Sequence, residues 1–584
     1  MTSTTLPPGV PTQAFIDGQF TDAAGRATFE SLAPATGGVI AKVAACGQAD
    51  VDRAVRAARA AFNRGDWSRM APEGRKSVML AFAGLIEAHR DELALTEAID
   101  AGKPITDCRD FDLPDVLRTI RWYAETADKV FGKTAPADAD HVGLIVREPV
   151  GVVGGVLPWN FPMAMLAWKI GPALATGNSV VIKPPELASL TTLRLAELAV
   201  QAGIPRGVLN VVPGLGHVAG KALGLHPDVD MITFTGSTEI GREFLRYSAA
   251  SNLKGTVLEM GGKSPQIVMA DCKDIIDTVA ADLADAAFWA AGQNCSAGSR
   301  ILVHSSIKDD FVSALAGQAS RRTVGDPVDE QTVLGPLIEA AALDRVLGYV
   351  KQARNDGAAV VTGGTRLLAE TGGWYTGATV LSDVRPDMSV AREEIFGPVV
   401  SVLGFDDIDG ALQLANDTTY GLAATIWSRD INVALRAART VRAGTVAVNG
   451  YSEGDITTPF GGYRQSGFGG RDNGLEALEQ YTETKTISIT LRGLRAADPR
   501  PAAERSLPDR PGPRATATSP APALSCLHPE PQGRDMPEHT PLHSAHASLG
   551  AAFTDFAAWA MPLRYASEVA EHYAAGLAVN IIDC

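Results

Sequence analysis

The chain has 584 residues, 46% of them hydrophobic and 20% charged, and a formal net charge of −15. That balance supplies ample material for a large core, suggests about three or four domains on length alone, and makes non-specific nucleic-acid binding a poor candidate role, because the chain repels phosphate. No run of about 18 uninterrupted apolar residues suggests a membrane span, Met1–Gln13 has no basic region followed by an apolar run as a signal peptide would, and the six cysteines form neither a CxxC nor a Cys/His cluster of zinc spacing, so free thiols in a reducing, cytoplasmic setting and no metal site are expected.

Residues 14 to about 490 read as one continuous α/β body. Ala49 to Asn63 and Pro72 to His89 carry apolar residues at helical spacing with charges between them. Val152–Leu157, Ser179–Ile182, Val208–Val212 and Met231–Phe234 are short apolar runs bounded by turn residues, and they predict buried strands. Alternating strand and helix signals argue for a parallel, doubly wound sheet.

Six segments carry chemistry. In Leu157-Pro158-Trp159-Asn160-Phe161-Pro162 the Asn160 amide stands between prolines and aromatics, which suits a fixed hydrogen bond, although a turn asparagine reads the same way. Val181-Ile182-Lys183-Pro184-Pro185-Glu186 is a strand ending on a lysine and then a glutamate; a carboxylate just past a strand can accept ribose hydroxyls. Phe234 to Gly241, containing Gly236 and Ser237, follows a predicted strand and opens a predicted helix, where backbone amides bind phosphate. It is not the usual GxGxxG pattern. In Leu258-Glu259-Met260-Gly261-Gly262 a carboxylate ends an apolar strand ahead of two glycines, as a charge turned into a cleft would; a surface glutamate is the ordinary alternative. Gly292-Gln293-Asn294-Cys295-Ser296-Ala297-Gly298 surrounds a cysteine with small and polar residues that allow close approach, although a lone cysteine is more often a small buried hydrophobe. The sixth segment is Glu393-Glu394-Ile395-Phe396-Gly397-Pro398.

In this order and at these separations the six segments resemble the aldehyde dehydrogenase superfamily over about residues 14 to 490. The resemblance implies an α/β fold with a Rossmann-type NAD-binding domain (14–131 and 149–261), an α/β catalytic domain (262–465) and a β-arm (132–148 and 480–490) that assembles a homodimer or homotetramer. It also implies roles. Cys295 matches the catalytic thiol and Glu259 the general base. Asn160, with the backbone amide of Cys295, matches the oxyanion hole. Lys183 and Glu186 match adenosine-ribose contacts, Ser237 with Gly236 the pyrophosphate site, and Glu394 the nicotinamide-ribose contact, with Phe396 beside the nicotinamide and Trp159 among the cofactor contacts. Met260 and Pro185 depart from the commoner residues without removing a chemical group. A carboxylate at Glu186 should repel a 2′-phosphate, favouring NAD over NADP, while Lys183 pulls the other way. The implied reaction runs through a Cys295 thiohemiacetal and thioester to a carboxylic acid. A non-catalytic binding protein on the same scaffold could lose Cys295 or Glu259; this chain keeps both.

Aromatic residues near these segments, Phe161, Trp168, Trp289 and Phe460, fit an alkyl chain or, through cation–π attraction, an ammonium or guanidinium end; core packing is the alternative. Asp112, Glu453 and Asp455 are expected at the tunnel mouth, where anions would favour a cationic ω-end; a solvated loop is the alternative. Asn449 to Arg471 resembles the branch acting on γ-glutamyl-aminobutyraldehyde, aminobutyraldehyde and guanidinobutyraldehyde in polyamine and arginine breakdown, with betaine aldehyde or aliphatic aldehydes as alternatives.

The character changes after Leu491. Arg492 to about Pro541 has the composition of a disordered linker. Leu542 to Cys584 becomes apolar and aromatic again. Met536 to His543 and Asp555 to Tyr565 resemble the opening of the glycine-cleavage aminomethyltransferase, but the remaining chain is too short for that family's folate-binding domain. The tail therefore reads as a truncated passenger from fused reading frames, with a helix expected over Ala566 to Ala578.

Overall fold

The computed structural model describes residues 5–491 and the backbone of three short tail strands, in two units, Met1–Ala496 and Ala497–Cys584. In the first unit, five parallel strands stand in the spatial order Leu209–Val211, Ser179–Lys183, Val152–Val156, Met231–Gly236, Gly255–Met260. Chain order reverses between Val152–Val156 and Met231–Gly236. At such a reversal the connecting helices leave to opposite faces and open a crevice beyond the carboxyl ends of the strands. The antiparallel pair Ala14–Ile16 and Gln19–Thr21 extends one edge, and Gly467–Phe468 the other.

The predicted strands appear with ends shifted by one or two residues. Val152–Val156 and Ser179–Lys183 are buried along their whole length. Their side chains alternate between two apolar cores, Val153, Val180 and Ile182 on one face and Val152, Val156 and Val181 on the other. A sheet covered on both faces needs apolar residues at every position, which explains the unbroken runs.

The predicted helices are Gln48–Arg64, closed by Gly65 at φ 85, and Pro72–Ala88, which opens on a proline whose missing N–H would have had no partner. Helix Pro162–Ala175 is buried on nearly every side. It lies tightly against helix Leu113–Thr126: a Cβ added to Gly171 would come within 2.7 Å of the Tyr123 ring. Just before Leu113 the helix carries a π-helical turn, Cys108–Asp112. Such a turn inserts an extra residue, and here it leaves Phe111 exposed while Asp112 is buried.

A second sheet runs Ala359–Thr362, Thr379–Ser382, Val399–Phe405, Arg300–His304, Pro265–Val268, Ala423–Trp427, Thr445–Val448, parallel except for its first pair. A third, separate sheet places His141–Pro149 between Lys133–Ala135 and Thr482–Thr490, with Thr482 opposite Pro149 and Thr490 opposite His141. In the second unit Trp559–Arg564 pairs parallel with Glu538–His539 and antiparallel with Ala552–Phe556. Apart from Glu538–His539 the expected linker lies outside the described residues, as does the expected helix over Ala566 to Ala578.

Candidate active site

A cavity of about 1350 Å³ is lined from both sheets, by Asn160 beyond strand Val152–Val156 and Glu259 near the end of strand Gly255–Met260 of the first, and by Cys295 from the loop leading into strand Arg300–His304 of the second. That loop begins with an unusual turn. Ala290 (φ 50, ψ 35) and Ala291 (φ 56, ψ 33) are both left-handed, followed by Gly292 at φ 67. A left-handed alanine costs roughly 1–2 kcal/mol, so surrounding contacts must hold the turn. Ala290 and Ala291 are buried, Gln293 Oε1 accepts the Ile338 N–H at 3.0 Å, and Asn160 Nδ2 donates to the Gln293 carbonyl at 2.9 Å. Asn160 is thereby locked to the cysteine loop, with one of its two N–H groups used.

Gly261 and Gly262, after the Glu259 strand, are glycines for a steric reason. A Cβ on Gly262 would lie 2.6 Å from the Cys295 carbonyl, and one on Gly261 would collide with the Glu394 carboxylate. Glu394 accepts the Gly262 N–H at 3.0 Å, and burial pushes its carboxyl up to about 7. Glu259 is 3% exposed and neither of its oxygens accepts a well-formed hydrogen bond. Burial, with Asp472 adding to it, raises its carboxyl well above the ordinary range, against the opposing pull of Lys169 and Arg471. Lys169 is itself paired with Asp472 at 2.5 Å, both buried. The Cys295 thiol is also pushed well up, first by burial and then by Glu453, Glu394 and Glu259. Cys295 is half-buried, whereas Cys46, Cys108 and Cys272 are buried.

Away from the cysteine, Lys183 and Glu186 form an ion pair, and Glu186 Oε1 also accepts the Gly216 N–H at 3.2 Å. Burial lowers Lys183; at Glu186 burial, which would raise the carboxyl, is more than offset by the Lys183 ammonium and backbone N–H bonds together, and the carboxyl is held low. Gly236 ends its strand, and Ser237 caps helix Thr238–Ala249, its Oγ accepting the Ile240 N–H at 3.3 Å. The Ser237 hydroxyl is thus engaged in capping, and the helix start faces the cavity through Gly236, Ser237 and Ile240. Trp159 meets Phe396 edge-on at 5.3 Å, and Phe396 is held at φ 56.

On the other side the wall is aromatic. Phe161 and Trp289 rings are 5.1 Å apart, and Trp168 and Phe460 rings 5.3 Å apart. Two expected anions are placed differently from the sequence reading. Asp112 is 3% exposed and ion-paired with Lys103. Its charge is spent internally, because Lys103 reaches it from behind the wall with its ammonium 3.8 Å from the Phe161 ring centre. Glu453 sits beside the nucleophile rather than at the mouth: its Oε1 accepts from Asn294 Nδ2 at 2.7 Å, from Tyr451 Oη at 2.6 Å, and from Ser296 Oγ. Asp455 does lie exposed on the rim, bonded to Thr457, with Arg118 in its field. Asp115, absent from the sequence reading, lines the cavity as Asp112 does, and its side chain is more exposed. It accepts the Trp168 Nε1–H at 2.8 Å, has Arg118 at 3.8 Å, and is pushed up by burial. Its spacing three residues beyond Asp112 on one helix was the available signal. Lys103, Tyr451 and the Lys169–Asp472 pair were also missed; Tyr451 meets Ser296 155 residues away and Lys169 meets Asp472 303 residues away, while Lys103 pairs with Asp112 nine residues on.

Among the described residues no group of three or more His, Cys, Asp or Glu could hold a metal ion, and no helix is long and apolar enough to cross a membrane.

The Aldehyde dehydrogenase family model matches residues 20–487. The aminoacetaldehyde dehydrogenase of Pseudomonas aeruginosa is 52% identical over 480 residues, covering 82% of this chain and 96% of that protein. The NADP/NAD-dependent aldehyde dehydrogenase PuuC of Escherichia coli is 48% identical, covering 82% and 95%. Among solved structures, a γ-glutamyl-γ-aminobutyraldehyde dehydrogenase of Burkholderia cenocepacia superposes with TM-score 0.81 at 53% identity over 83% of this chain and 97% of that one. A P. syringae indole-3-acetaldehyde dehydrogenase in complex with NAD+ and IAA gives TM-score 0.81 at 48% identity, over 82% and 97%.

Proposed function

The chain belongs to the aldehyde dehydrogenase family, and on that premise we propose that it oxidises aldehydes bearing an ω-amino, γ-glutamylamino or guanidino group, with NAD as acceptor. The observation that carries the substrate class is Asp115. A carboxylate braced by the Trp168 indole stands in an aromatic wall, where an ammonium gains both charge pairing and cation–π attraction. Arg118 beside Asp115 and Asp455 adds the opposite sign, which suits a zwitterionic γ-glutamyl end.

The cavity is large enough for a dinucleotide and an aldehyde together, and its polar groups fit NAD. The start of helix Thr238–Ala249 would hold the pyrophosphate with its backbone N–H groups, Glu186 and Lys183 would hold the adenosine ribose, and Glu394 would hold the other ribose, with Trp159 and Phe396 lining the same cavity. When bound, the nicotinamide supplies the hydride acceptor.

Cys295 then gives its thiol proton to solvent and adds as the thiolate to the aldehyde carbon, forming a thiohemiacetal whose alkoxide the Asn160 amide and the Cys295 N–H stabilise. One such donor is worth about 3 kcal/mol. Loss of hydride leaves a thioester on Cys295, and Glu259, as its carboxylate, takes a proton from the water that hydrolyses it. The exposed arm strand Thr482–Thr490 supports a homodimer or homotetramer, and the unpaired cysteines support a cytoplasmic setting.

The test is NADH formation from 4-aminobutyraldehyde, 4-guanidinobutyraldehyde, betaine aldehyde and hexanal, with Cys295→Ala and Asp115→Asn beside the wild type. Activity should vanish in Cys295→Ala. Asp115→Asn should raise KM for the two cationic butyraldehydes about tenfold, the cost of one lost charge contact of ~1.4 kcal/mol, and change hexanal little. Best activity on hexanal in the wild type would overturn the substrate class.

A further inference from the structure

The Glu453 carboxylate is turned toward the cysteine loop. One of its oxygens collects three donors: the Asn294 amide, the Ser296 hydroxyl and the Tyr451 hydroxyl. Asn294 and Ser296 are the two residues flanking Cys295. Tyr451 also meets Ser296 Oγ at 3.0 Å and Asn294 Nδ2 at 3.3 Å, so the four side chains form one closed cluster. Glu453 and Tyr451 belong to the segment that ends in Phe460 of the tunnel wall, and Glu453 itself lines the cavity. Nucleophile loop and tunnel wall are therefore joined through a single carboxylate.

We propose that Glu453 is a positioning residue for the nucleophile, which ties both neighbours of Cys295 to the tunnel wall and couples the thiol to the charge carried by the substrate.

Three carboxyl groups face Cys295 from three elements: Glu453 from the wall segment, Glu394 from the loop after helix Ser389–Arg392, and Glu259 from the end of its strand. Of these Glu453 is the one hydrogen-bonded to both neighbours of Cys295, and it lines the same cavity as Asp115 and Trp168. An anion beside a thiol opposes its ionisation, and an approaching cation cancels that effect. An ammonium-bearing aldehyde, the substrate class proposed above and the reading on which this inference rests, would enter carbonyl first and hold its cation in the wall on the Glu453 side while its carbonyl lies at Cys295. The thiol then ionises, giving its proton to solvent, when the substrate is in place. A neutral aldehyde lacks this effect.

Glutamine at this position keeps the accepting oxygen and removes the charge; alanine removes both. The experiment is alkylation of Cys295 by iodoacetamide in the full chain, followed by mass analysis of the Cys295 peptide, from about pH 6 to about pH 10. Wild type, Glu453→Gln and Glu453→Ala are compared, each with and without n-butylammonium. The alkylation midpoint should fall by about one pH unit in Glu453→Gln, as removal of one nearby like charge predicts. Butylammonium should lower it in the wild type and not in Glu453→Gln. In NADH assays Glu453→Ala should lose more kcat than Glu453→Gln on every aldehyde, because only alanine releases the loop. Coincident profiles for wild type and Glu453→Gln would overturn the inference. So would a wild-type profile indifferent to butylammonium, a measurement that needs no variant to fold. A wild type that prefers hexanal but whose midpoint still responds to butylammonium and to Glu453→Gln would sink the amino-aldehyde reading and leave the coupling of Glu453 to the thiol standing.

Discussion

Glu259 lies where burial and function pull in opposite directions. A carboxyl 3% exposed, with no well-formed hydrogen bond, holds its proton well above the ordinary range. As the proposed general base, Glu259 would first have to lose that proton. Its folded pKa is raised, so the active carboxylate gains population as pH rises through that value, and kcat should increase with pH over the same interval. Glu259→Gln should lower kcat by about 10²–10⁴ and make it indifferent to pH there. Thioester formation needs no base at this position, so the variant should still release a burst of NADH near one equivalent per site. A variant with no burst would place Glu259 in the first half of the reaction instead.

At the scale of elements, the turn Ala290–Gly292 shows local preference overruled by packing. No helix or strand signal announces three successive left-handed residues, and two of them carry a Cβ. Their conformation aims Gln293 at Asn160 and brings Cys295 into the cavity. Ala291→Gly should leave stability unchanged within about 1 kcal/mol, since relief of strain offsets the added freedom of the unfolded chain. Ala291→Val should cost more than about 2 kcal/mol, because a β-branched residue fits that backbone poorly. Urea unfolding of the two variants checks this; equal losses would show that the turn is not strained.

Across the whole molecule, the arm strand Thr482–Thr490 is exposed along nearly its full length, and Ile487 and Ile489 are 39% and 40% exposed. Apolar side chains on an open strand are a pairing surface. Ile487→Lys with Ile489→Lys should therefore yield a smaller assembly by sedimentation; an unchanged mass would move the interface elsewhere. Every residue lining the cavity lies in the unit Met1–Ala496. A chain ended at Ala496 should accordingly retain kcat and KM within about twofold, a difference of ~0.4 kcal/mol. Loss of activity on that truncation would give the tail a role beyond that of a passenger.

The sequence by itself determined the parallel strands, since a sheet covered on both faces demands apolar runs such as Ser179–Lys183 that stand out against helical spacing. It also brought forward Asn160, Glu259, Cys295 and Glu394 as candidate reacting and binding groups, through the resemblance of their segments to the aldehyde dehydrogenase family; local geometry by itself left a turn asparagine, a surface glutamate and a buried cysteine open. Tertiary structure alone decided which charges are available to a substrate. Asp112 is neutralised by Lys103 from behind the wall, Glu453 is drawn to the cysteine loop, and Asp115 is presented by the indole of Trp168. A charge acts through the distance and burial of its partners, and those partners come from 9 to 159 residues away. No local pattern records such pairings.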